Sequence, residues 1–203
     1  MRSCWKKLVA SRNWDPEIAG QCEEELFSLY ESPTRHYHNL SHIEDCLRLF
    51  TESKIDDPVA VELAIWFHDL IYDPLKPDNE AASGIFAKLW LNQLEENTIF
   101  SNSVERLILV TDHNTEPETD DEATLVDIDL SILGRTPERY KLYSQQIRSE
   151  YSHVDDPQYK AGRIAVLKKF LDRSSIYKTE EYKNRFEAAA QNNLEQEIAE
   201  LAS

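Results

Sequence analysis

His68 and Asp69, two adjacent ligand-capable residues, close the apolar stretch VELAIWFHDLIYD. With Val61, Ala64, Ile65 and His68 at i, i+3, i+4 and i+7, a helical reading puts the imidazole on a core-facing stripe with the carboxylate beside it. Burying an ionised carboxylate is costly unless something compensates, and a divalent cation shared with a neutral imidazole is strong compensation. The dipeptide therefore reads as part of a metal site. In ATLVDIDLSILG, Asp129 shares a helical face with Leu125, Ile128 and Ile132, whereas Asp127 falls off that face and must look elsewhere. A third segment, RHYHNLSHIEDCLRLF, opens an amphipathic helix through Ile43, Cys46, Leu47 and Phe50, with His42 at the edge of its stripe. His38 and His36 compete with His42 for the ligand role; His42 is preferred because it begins the helix proper.

These side chains need helices to carry them, and the composition supplies little else. Only 4 Gly in 203 residues, 30% charged side chains and long runs without turn clusters argue against hairpins or βαβ units. The expected fold is all-α: a single-domain helical bundle of about nine helices over residues 1–203, with a metal-site core at about 36–134 and C-terminal helices at 136–202 packed on it. Starts are marked by Asp15-Pro16, Asp57-Pro58, Thr136-Pro137 and Asp156-Pro157, each a capping oxygen followed by a first-turn proline. Others are expected near Leu40, after Pro77, near Ser103, near Asp121 and at Thr179. Gly134 is placed as a left-handed cap ending the Asp129 helix. DPLKPDNEAASG reads as a loop over the mouth of the site, and HNTEPETDDEA as an exposed acidic loop.

The formal net charge of -16 opposes attraction to nucleic acid or to anionic membranes. Cys4, Cys22 and Cys46 have neither CxxC spacing nor even pairing, and neither a signal peptide nor a membrane span is visible, so the chain is expected in the cytoplasm. Its oligomeric state is left open.

His42, then His68-Asp69, then Asp129, in that order and on helices, resembles the ligand signature of the HD-domain metal-dependent phosphohydrolases. Within that superfamily RHYHNLSHI, AIWFHDLIYDP, DNEAAS, VDIDLSILG, IRSEY, GRIAVLKKFLDRSSIY and NNLEQEIAEL are similar to a group of stand-alone bacterial proteins described as predicted metal-dependent phosphohydrolases. The resemblance implies an HD-type helical bundle in which His42, His68, Asp69 and Asp129 meet at one divalent ion (Mn, Fe, Co or Mg) and a metal-activated water attacks a small phosphorylated substrate, a nucleotide being favoured. The spelling around the pair also resembles the hydrolase half of guanosine tetraphosphate enzymes, with Asp73 in the place of their acidic residue, but Tyr72 stands where those commonly carry Glu.

Further roles follow, each beside a plainer one. Asp73, at i+4 from Asp69, is expected one turn on along the same face as the general base, or else as a helix-end cap. His38 is a phosphate-contacting or outer group, or a surface histidine. Glu80 is an outer carboxylate, or an acid suited to a first helical turn. His113 faces the centre, as a second-metal ligand or phosphoryl contact, or else interacts with a helix dipole. Arg148, Arg163 and Lys168 are rim cations for phosphate, or partners of surface carboxylates. Two other functions stay open: a di-iron HD-type oxygenase, which needs extra histidines that only His38 and His113 can supply, and a non-catalytic metal-stabilised nucleotide-binding module.

Overall fold

The computed structural model describes all residues, 1–203, as an all-helical chain without strands. Ten α-helices follow in order: α1 (Arg2–Arg12), α2 (Pro16–Tyr30), α3 (Leu40–Phe50), α4 (Pro58–Phe67), α5 (Asn79–Gln93), α6 (Thr98–Leu109), α7 (Asp120–Leu130), α8 (Pro137–Glu150), α9 (Asp156–Leu171) and α10 (Glu180–Ala202). Short 3-10 turns, Val110–Asp112 and Ser131–Gly134, extend α6 and α7. The chain divides into two compact units, Met1–Leu125 and Val126–Ser203, and the division falls within α7.

Caps explain most boundaries. Asp15 accepts from the N–H groups of Glu17 and Ile18, Asp57 from Ala60, and Thr136 from Arg139, each with proline in the first turn. In α9 the cap is Asp155, one residue before the expected Asp156, so Pro157 sits at the second helical position. The helix expected near Ser103 starts at Thr98, because Asn97 accepts from Phe100 N–H. The tenth helix, α1, carries no side-chain cap and so left no start signal.

In the first unit α4 is the centre. Ala60, Val61, Leu63, Ala64, Ile65, Trp66 and Phe67 are all buried, so it is apolar all round, not striped. It packs against α3, α5 and α6, and α5 packs on α6. Trp5 of α1 meets Trp66 edge-on at 5.7 Å between ring centroids. The loop reading of DPLKPDNEAASG holds only to Asp78, because Asn79 begins α5; likewise Asp120 ends the acidic loop by opening α7.

In the second unit α10 packs against α9 and against the Ser131–Gly134 turn. Gly134 is not left-handed. It is glycine because of a close approach: a Cβ there would lie 2.6 Å from Phe186 Cβ and 2.7 Å from the Phe186 carbonyl oxygen. Asp127, fully buried, accepts from Lys178 N–H, Thr179 N–H and Thr179 Oγ1, all at 2.7 Å, and so ties α7 to the start of α10.

Candidate metal centre

The central pair sits where α4 stops. His68 keeps helical dihedrals and donates its N–H to Ala64 at 2.8 Å, but Leu70 N–H already bonds back three residues to Phe67, and the chain then leaves the helix. His68 is 2% exposed and His42 3%. The His68 Nδ1 lies 3.0 Å from the carbonyl oxygen of Ile65. A carbonyl only accepts, so Nδ1 carries a proton, and in the neutral ring the Nε2 lone pair turns the other way.

That lone pair meets two more donors. His68 Nε2 lies 3.2 Å from His42 Nε2 and 3.1 Å from Asp69 Oδ2, and His42 Nε2 lies 3.3 Å from the same oxygen. Three such atoms so close need a proton or a metal cation among them. Donors bonded at about 2.0–2.2 Å to one ion lie about 2.8–3.6 Å apart, depending on the coordination geometry, and the three spacings fall within those limits. Asp129 lies in the last turn of α7, within the second unit. Burial opposes the charge on Asp69, yet His68, His38 and His42 around it hold its carboxyl well below the ordinary range.

The surroundings differ from expectation. Asp73 is not one helical turn from Asp69, because the intervening chain is a loop; its N–H donates to Asn79 Oδ1 at 2.9 Å and its Oδ1 accepts from Leu75 N–H at 3.0 Å. Asp73 therefore shares no helical face with Asp69, contrary to expectation. The stripe argument that chose Asp129 also fails as stated, since Asp127 is the more deeply buried of the two. Asp127 is committed to the start of α10. His38 is half-buried and stacks on Tyr72, 4.2 Å between ring centroids, and its charge acts on Asp69. Burial pushes the Glu80 carboxyl up, and the charge of Asp69 adds to that; His113 acts in the opposite sense. His113 itself follows the 3-10 turn in a left-handed conformation, φ 57°.

Arg148 and Arg163 are not rim cations. Arg148 donates to the carbonyls of Tyr151 and Val154 and to Asp156, closing the end of α8. Arg163 forks onto Glu197 at 2.8 and 3.1 Å, in a buried pair that Tyr140 joins through its hydroxyl. Lys168 is exposed.

Sequence reasoning overlooked three residues around the pair. Arg35 donates to main-chain carbonyls of the His68-Asp69 turn, Ser83 bonds Ile71, and Asn79 bonds the backbone of Asp73 and Lys76. Arg35 lies in RHYHN, and Asn79 and Ser83 lie in DNEAAS. No protein-family model, curated protein or solved structure matches the chain.

Proposed function

We propose that this chain is a divalent-metal-dependent phosphohydrolase of the HD-domain type, acting on a small phosphorylated metabolite, with a nucleotide as the favoured class. The observation that carries the reading is the meeting of His42 Nε2, His68 Nε2 and Asp69 Oδ2 at 3.1–3.3 Å in a buried position. With Asp129 as the fourth ligand, the set would be two imidazoles and two carboxylates, which suits Mn²⁺, Fe²⁺, Co²⁺ or Mg²⁺ with positions left for water and substrate. An ion bound there supplies Lewis acidity toward a phosphoryl oxygen and makes a bound water more acidic.

The protein's own part is to hold donors and move a proton. Ile65 fixes the His68 tautomer through its carbonyl, so no reorganisation precedes binding. Glu80, whose carboxyl is raised by burial, is the candidate for proton exchange, whereas Asp73 spends Oδ1 on the Leu75 N–H. The stacked His38 and Tyr72 rings offer an imidazole edge to an anionic group. A cytoplasmic setting belongs to this reading and is supported by three free thiols, Cys4, Cys22 and Cys46. The charge of -16 disfavours nucleic acid and anionic membranes as partners, and no helix is long and apolar enough to cross a membrane.

The test is metal analysis of freshly purified protein followed by phosphate release from nucleotides and sugar phosphates with Mn²⁺, Co²⁺ and Mg²⁺. Release by the wild type, falling to background in His68→Ala and Asp129→Ala with folding retained, is the expected result. Two irons per chain with oxygen-dependent turnover would replace the hydrolase with an oxygenase, and tight nucleotide binding without product would leave a binding module.

A further inference from the structure

Arg35, in the turn before α3, is only 9% exposed, and its guanidinium bonds end on main-chain carbonyls. Nη1 donates to His38 at 3.2 Å and to Asp69 at 2.6 Å, and Nη2 donates to Leu70 at 2.5 Å. The rings of Tyr30 and Tyr72 lie 5.1 and 5.7 Å from it. One residue further along, Ser83 Oγ accepts from Ile71 N–H at 3.0 Å and donates to the Ile71 carbonyl at 3.3 Å. Residues 69–71 have just left α4, so their peptide groups have lost the repeating partners a helix provides. Arg35 and Ser83 supply the missing ones, from two directions.

The consequence reaches the site. Asp69 cannot turn its backbone without breaking the Arg35 bond, so the direction of its carboxylate is inherited from that contact. The same guanidinium holds the His38 carbonyl, in the segment that leads into His42, and so ties both ligand-bearing stretches together. Arginine is suited to this because one rigid fork serves carbonyls of different peptide units, whereas a lysine ammonium is a single flexible point.

We propose that Arg35 and Ser83 are positioning residues that preset the Asp69 carboxylate against the two histidine nitrogens and thereby set the site's affinity for a divalent cation. This rests on the metal-binding reading of the site. Calorimetric titration of chelator-treated protein with Mn²⁺ separates the two claims, comparing wild type, Arg35→Lys, Ser83→Ala and Arg12→Lys. Arg12 forks onto Glu96 in the same unit and plays no part at the site, so it reports the effect of weakening a structural arginine. Outer partners of metal ligands are typically worth about 10–100-fold in metal affinity. Arg35→Lys is expected to bind Mn²⁺ at least about tenfold more weakly, and Ser83→Ala about threefold more weakly. Arg12→Lys should stay within about twofold of wild type even where it lowers the melting temperature as much. Unchanged affinity in Arg35→Lys overturns the proposal while leaving the metal site standing. If Arg35→Lys does not fold, Ser83→Ala decides by the same criterion, and a wild type that binds no Mn²⁺ overturns site and clamp together.

Discussion

At the residue scale, the decisive groups are those that a protein would not bury without a reason. His42 and His68 are almost wholly enclosed, and one hydrogen bond, to Ile65, determines which way the His68 lone pair points. Glu62, on the helix that precedes the pair, gives a contrasting case. Its carboxyl is raised because burial penalises the charged form. A raised carboxyl binds its proton more tightly in the folded state, so its contribution to stability is full below the unfolded pKa and is lost as pH rises through the folded value. Glu62→Gln removes that loss without removing the hydrogen-bonding group. The variant is expected to be more stable than wild type at pH 7 in urea titrations, with the advantage disappearing below about pH 4; an advantage that persists at pH 3 would point to packing instead. The histidines and the aspartate that meet in this group were legible from residue type and order alone. The faces assigned to them were not, because α4 is buried on every side and a stripe argument needs a polar side to define it.

Individual elements were most legible where a cap oxygen and a proline stood together, since that pair leaves the helix nowhere else to start. α1 lacks such a cap, and the start of α6 was drawn toward its apolar run VERLILV and away from Asn97. Gly134 shows a subtler limit. A glycine after a helix is usually there for a left-handed turn, but here it admits α10, a residue far along the chain that local pattern cannot reveal. Gly134→Ala would force a methyl within 2.6 Å of Phe186 Cβ and within 2.7 Å of its carbonyl oxygen. Because one of those atoms is backbone, α10 itself must shift, and the expected cost is about 1–3 kcal/mol. Denaturant unfolding measures it directly. A neutral result would mean that the turn and α10 yield easily, and glycine would then be incidental there. Arg35 and Ser83 were missed for a related reason: their partners are peptide groups released by the end of a helix, and a sequence does not announce where orphaned carbonyls will need donors.

For the whole molecule the dominant fact is charge. With 38 acidic against 22 basic residues, repulsion within the folded chain is relieved by any added salt, so a rise in melting temperature on adding a divalent cation is by itself ambiguous. The site makes a different demand from the surface. A cation that binds only the folded state stabilises by an amount set by its concentration over its dissociation constant, about 2.7 kcal/mol at a hundredfold excess. For a chain of this size that corresponds to about 5–10 °C. Screening depends on ionic strength and needs no particular side chain. Mn²⁺ at a hundredfold excess over its dissociation constant should therefore raise the melting temperature well beyond NaCl at matched ionic strength, and chelator should reverse the rise. His68→Ala should retain only the part that NaCl reproduces. Equal shifts with Mn²⁺ and NaCl, or an undiminished Mn²⁺ shift in His68→Ala, would assign the effect to the acidic surface and remove the thermodynamic case for a buried ion.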